Sequence, residues 1–177
     1  MSDLVRNIFR IIIFILIQVY VFSKIPPLHQ FIIPYLYFLP LLWLPFSVSR
    51  LWLLVIAFLT GLTLDYFLWT PGLHAAACVL IAYVRPFLIE ILTPKDSSEF
   101  NYREPSPKAM QWTPYFVYVF ILTLLHHGYM FFLEMLSFGN FLDFVIKVVC
   151  TTGISLLMIF TVELLFPRKL KFRTNTA

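Results

Sequence analysis

Apolar residues fill this chain in long unbroken runs, and the polar residues gather in short clusters between them. A helix needs roughly 20 mostly apolar residues to cross a bilayer, so the spacing of the clusters predicts about six spans in 177 residues. The first covers about 4–22, with Arg6 and Arg10 near its start, where their charges can snorkel back to the interface. The following Ser23-Lys-Ile-Pro-Pro27 has no small-x-small cleavage site, so this run is expected to stay as an uncleaved helix rather than act as a signal peptide. The second and third spans are expected at about 31–46 and 51–69, parted by Ser47-Val-Ser-Arg50. Pro34, Pro40 and Pro45 make the second the least regular, with kinks and packing against protein expected.

The fourth span starts at Gly72 or Leu73 and reaches about Leu92, with Arg85-Pro86 as a candidate break. If Pro86 ends the helix, 87–92 with Glu90 lies along the interface. A polar connection over 93–112 is the longest hydrophilic stretch, and Thr113-Pro114 predicts an N-cap followed by proline at the first helical position. The fifth span then runs to about Leu136 and the sixth over about 141–166, with Ser137-Phe-Gly-Asn140 between them. Pro167 opens a basic tail over 167–177, and the whole chain reads as one polytopic membrane domain.

Composition narrows the class. Sixty per cent of the residues are hydrophobic, 12% are charged and the mean hydropathy is +0.86, which a soluble globular domain does not show. Cys78 and Cys150 lie in apolar runs as small packing residues. The net charge of +4 does not point to nucleic acid, because the cations sit at span ends rather than on a solvated face. In a six-span topology Arg6, Arg10, Arg50, Lys95, Arg103, Lys108 and the tail cations share one side, leaving Lys24 on the other. The positive-inside rule then predicts both termini cytoplasmic and the turn between spans three and four outside.

That turn carries the main candidate site. Ala57, Gly61 and Asp65 recur every four residues on the third span, a stripe of small side chains ending in a carboxylate that is costly within a bilayer. His74, Cys78, Ala82 and Arg85 share a face of the fourth span, and Trp69-Thr-Pro71-Gly72 links the two helices as antiparallel neighbours. Asp65 and His74 therefore sit at similar depth. Asp65 either braces the hairpin through hydrogen bonds, or presents a rigid surface to a partner, or relays protons; the brace requires the least. No Gly-x-Ser-x-Gly or His-Glu-x-x-His pattern is present, so no catalytic residue is assigned.

Gly61-Leu-Thr-Leu-Asp65, a short turn and then Gly72-Leu-His74 followed by alanines resembles the signature of the MreD family, rod shape-determining membrane proteins of bacterial cell-wall elongation. Gln18 near the outer end of a positively charged first helix and Pro34-Tyr-Leu-Tyr37 in the second add to the resemblance. It implies a non-enzymatic component of peptidoglycan elongation and cell shape in the cytoplasmic (inner) membrane, working with an MreC-like protein, MreB, RodA and a class B penicillin-binding transpeptidase. It also implies similarity to the six-helix substrate-binding subunits of energy-coupling-factor vitamin transporters. A vitamin-capture subunit is the alternative function; otherwise no small-molecule substrate, nucleic acid or cofactor is expected, and membrane lipid is the remaining partner.

Other polar side chains lie within the spans. Thr123, His127, Met130 and Glu134 fall on one face of the fifth; His126 and His127, being adjacent, point about 100° apart and are not expected to chelate a metal together. Asp143, Lys147, Thr151 and Ser155 form a ridge on the sixth that must face protein or a water-filled cavity, with Asp143 and Lys147 spaced as a helical ion pair. These faces serve either as interhelical glue, the preferred expectation, or as walls of a partly polar cavity open to the outside.

Overall fold

The computed structural model describes residues 3–24, 34–93, 103–138 and 140–165. Its elements in chain order are α1 (Asp3–Tyr20), a 3-10 turn (Phe22–Lys24), α2 (Leu39–Leu42), α3 (Arg50–Leu68), α4 (Leu73–Leu92), α5 (Pro107–Met110), α6 (Trp112–Phe138) and α7 (Phe141–Leu165). Among the described residues there is no strand. Five segments, Val5–Lys24, Arg50–Leu68, Leu73–Leu92, Trp112–Leu136 and Phe141–Leu165, are helical, long and apolar enough to cross a membrane. The chain is an all-α membrane protein, with large apolar side chains such as Phe9, Leu51, Leu59, Ile91 and Leu157 turned outward where lipid solvates them.

Neighbouring helices pack in the series α1, α3, α4, α6, α7, the closest pair being the α3–α4 hairpin. The space between them is filled by the segment where a second spanning helix is expected. The described part of that segment is mostly not helical: 34–38 carries no helix, α2 makes a single turn, and 43–49 is turn and bend. Its prolines explain the departure. Each lacks an N–H and disfavours helical geometry in the residue before it; Pro40 is tolerated only because it lies in the first turn of α2, and Pro45 follows soon after the turn ends. Tyr37, Phe38 and Leu39 are wholly buried within this segment.

The segment runs the length of the bundle. At one end Leu36 meets Gln18 near the close of α1; at the other, the Phe46 N–H donates to the Arg103 carbonyl (2.9 Å). Arg103 adjoins Glu104, which receives Arg6 and Arg10 from the start of α1. The beginnings of α1 and α3 and the 103–106 stretch thus share one end, and the α3–α4 turn lies at the other.

Three other expectations are adjusted. α4 continues through Pro86 to Leu92 without a break, so 87–92 is helical. α6 starts one residue before the expected Thr113 cap, and α5 precedes it across Gln111, whose φ of 65° turns the chain between the two. The described part of the 93–112 connection is packed rather than free, with Glu104, Ser106, Ala109 and Met110 buried. The tail expected over 167–177 lies outside the described residues.

Candidate functional site

The α3–α4 hairpin is built around one carboxylate. Gly61 lets the helices close: a Cβ there would fall 2.6 Å from the Ala75 nitrogen and the His74 carbonyl oxygen, so only glycine fits. One turn further on, Asp65 is 2% exposed. Its Oδ1 accepts from the His74 N–H (2.9 Å) and the Thr70 hydroxyl (3.0 Å), and its Oδ2 accepts from the Ala75 N–H (3.0 Å). The His74 ring adds a third contact to Oδ1 through Nδ1, at 2.9 Å. Asp65 therefore caps the helix that follows its own.

The sequence leaves that cap open for it. The residue at the N-cap of α4 is Gly72, which has no side chain to accept from the first turn. Thr70, Pro71, Gly72 and Leu73 form a turn closed by the Leu73 N–H on the Thr70 carbonyl (3.2 Å), with Gly72 at φ 85°, the left-handed conformation that its third position requires. The Ala76 N–H donates to the Gly72 carbonyl (3.0 Å), so each N–H from Leu73 to Ala76 has an acceptor. A negative side chain at this helix N-terminus is also favoured by the macrodipole. On the α3 side, the Asp65 carbonyl accepts from the N–H groups of Trp69 and Thr70.

A second group of polar side chains serves the buried segment. Its non-helical backbone has no ladder of its own, and within a membrane core each unpaired group is costly. Gln18 of α1 donates through Nε2 to the Pro34 carbonyl (3.0 Å) and accepts at Oε1 from the Leu36 N–H (2.9 Å). Ser155 of α7 accepts from the Tyr35 N–H (3.2 Å). At the other end Arg85 of α4 donates to the Leu44 carbonyl, and Tyr118 of α6 to the Leu42 carbonyl (2.9 Å), while Arg85 Nε also donates to the Tyr118 hydroxyl (3.0 Å). These contacts place a cation where the carbonyls of α2 emerge, the favourable end of a helix for positive charge.

The segment's aromatic side chains join the two groups. The Tyr35 and Tyr37 rings lie 5.7 Å and 5.5 Å from His74. The Tyr37 hydroxyl is 2.7 Å from His126 Nε2 and 3.6 Å from Cys78 Sγ, and Phe38 stacks on His126 at 4.3 Å. His126 and His127 thus both face the segment, their ring planes at 90°, with Thr152 Oγ1 3.4 Å from His127 Nδ1. Three buried ring nitrogens, His74 Nε2, His126 Nδ1 and His127 Nε2, have no hydrogen-bond partner among the described residues. No group of three or more His, Cys, Asp or Glu among the described residues is placed to hold a metal ion.

Ala57, Gly61, Asp65, His74 and Arg85 are all buried, as the stripe and the shared face require. Pro71 and Gly72 form the exposed turn. The α7 ridge is different at its N-terminal end. Lys147 pairs with Glu134 of α6 (2.8 Å) and not with Asp143, because the neighbouring helix brings a carboxylate closer than the same-helix spacing does. Asp143 remains in the first turn of α7, where the helix dipole favours it. Among the described residues, Tyr37, Phe38 and their neighbours occupy the space between the polar faces of α4, α6 and α7. Residues whose role the pattern did not show are Tyr118, Tyr37 and Glu104, whose partners lie far away in sequence.

The fold and this buried polar core define an all-α membrane protein whose interior polar side chains largely bind its own backbone. No family model, curated protein or solved structure matches the chain.

Proposed function

We propose that this protein is a non-enzymatic component of the bacterial cell-wall elongation machinery, seated in the cytoplasmic membrane and acting by assembly with an MreC-like partner. The observation that supports this reading is the state of Asp65. Both of its oxygens are occupied by donors of its own hairpin, so the most suggestive residue of the MreD-like signature works as a brace. Bracing fits a protein that offers a fixed surface. In this reading the chain crosses six times, the 34–46 segment making the second crossing, with both termini cytoplasmic. The end bearing Arg6, Arg10, Arg50 and Arg103 is then the cytoplasmic one, as loop charge favours.

The partner's single transmembrane helix would dock on an outward apolar face, and MreB, RodA and the class B transpeptidase would be reached through the assembled complex. In-cell photocrosslinking from Trp69 and Tyr66, exposed beside the outer turn, tests it. An MreC-like protein or elongation transpeptidase among the adducts is the expected result. Recovery of a transporter ATPase module would instead establish the vitamin-capture alternative. In cells, Asp65→Ala should reduce assembly and disturb rod shape, and normal complexes with normal shape would count against the proposal.

A further inference from the structure

α1 and α7 stand at the two ends of the packed series, and a cavity of about 440 Å³ lies between them. Phe14 and Ile17 of α1 and Met158 and Val162 of α7 form its sides, with Leu36 and Trp43 of the buried segment as its floor. Its size lies within the range of small-molecule sites, which is roughly 300–1,000 Å³. Its length is informative too. The lining extends from Arg10 of α1 to Phe22 of the 3-10 turn that follows it, a rise of roughly 18 Å. An acyl chain fills about half of a hydrocarbon core about 30 Å thick, so the cavity is long enough to hold one.

Arg10 gives the cavity a direction. It is the charged residue of the lining and marks the end of the cavity nearer the start of α1. Its hydrogen bonds to Asn7 Oδ1 (3.2 Å) and Glu104 Oε2 (3.0 Å) both leave from Nη1, and its guanidinium carbon lies 5.8 Å from the centre of the Trp43 ring. Nη2 and Nε make no hydrogen bond to the described residues, although a guanidinium offers five N–H donors in a fork suited to phosphate. Arg6 pairs with the other oxygen of the same Glu104, so two cations share one carboxylate and a net positive charge remains.

We propose that this cavity is a binding site for one acyl chain of an anionic phospholipid, with the phosphate at Arg10 and the chain lying over Trp43 toward Phe22. The site is independent of the assembly role proposed above. It makes a lipid part of the wall between α1 and α7.

Trp43 reports on occupancy directly. In a variant with Trp52, Trp69 and Trp112 replaced by Phe, reconstituted in vesicles containing phospholipid with brominated acyl chains, Trp43 fluorescence should be quenched. Brominated phosphatidylglycerol should quench at about tenfold lower mole fraction than brominated phosphatidylcholine, the worth of one charge-assisted hydrogen bond. Arg10→Gln should abolish that preference and Arg10→Lys should restore part of it. If the single-tryptophan variant does not fold, native mass spectrometry of the unaltered protein supplies the same reading: phosphatidylglycerol retained, phosphatidylcholine lost and Arg10→Gln losing both. Equal quenching by the two lipids, or none, overturns the proposal. So does efficient disulfide dimerisation of Met158→Cys, which would show a second copy covering the groove.

Discussion

The α3–α4 hairpin and the buried 34–46 segment solve the same problem by opposite routes. Both place backbone polar groups where water does not reach. In the hairpin, one carboxylate satisfies N–H groups no more than ten residues away, and the helices on either side keep their own ladders. In the segment the ladder is missing, and Gln18, Arg85, Tyr118 and Ser155 supply acceptors and donors from four different helices. The hairpin is therefore a local unit that can form early, whereas the segment is stable only inside the assembled bundle. A charged residue in a membrane helix need not mark chemistry when the turn beside it exposes unpaired N–H groups.

Substitutions separate the two arrangements. Gly61→Val should have the largest effect, about 3 kcal/mol, because its side chain would overlap the α4 backbone and the helices would have to part. Unfolding in mixed micelles titrated with a denaturing detergent measures it; an unchanged midpoint would mean the close approach is not needed. Asp65→Ala should cost about 2 kcal/mol in the same assay by leaving the N–H groups of His74 and Ala75 without their acceptor. Added protease should then cut at the 69–72 turn before the rest of the chain opens.

Gln18→Leu should cost about 1–1.5 kcal/mol, as the Leu36 N–H and Pro34 carbonyl lose a partner while apolar packing is kept. Its signature differs from that of the hairpin variants: hydrogen exchange should rise across 34–38 and stay low at 73–76. Lys147→Met should change stability by no more than about 0.5 kcal/mol, since its pair with Glu134 is partly exposed. The smallest effect is a coupling. If the hairpin and the segment are independent, Asp65→Ala and Gln18→Leu should add to within about 0.5 kcal/mol; a larger departure would mean that Tyr35 and Tyr37, which touch His74, carry load between them.

The difference between the regions also governs what the sequence makes legible. The five apolar helices follow from run length, and the hairpin from an aspartate four residues after a glycine with Pro71-Gly72 beyond it. Proximity in sequence equals proximity in space there. The segment at 31–46 has the same hydropathy as a helix, so apolar content alone does not separate the two. Pro34, Pro40 and Pro45 mark it as irregular, yet its stabilising contacts come from residues up to 120 positions away, which no local pattern contains. The Lys147 pairing shows the same limit on a smaller scale: i,i+4 spacing permits a bond to Asp143, and the fold provides Glu134 instead.

The reach of Ser155 to the Tyr35 N–H has a consequence for biogenesis. These residues are 120 positions apart, and ribosomes add about 5–20 residues per second, so on the order of ten seconds separate their synthesis. During that interval the segment's backbone gains its α4 and α6 partners one after the other and its α7 partner last, and bare lipid is no solvent for the groups still unpaired. Residues 34–46 are therefore expected to settle into their final packing only once α7 is in place.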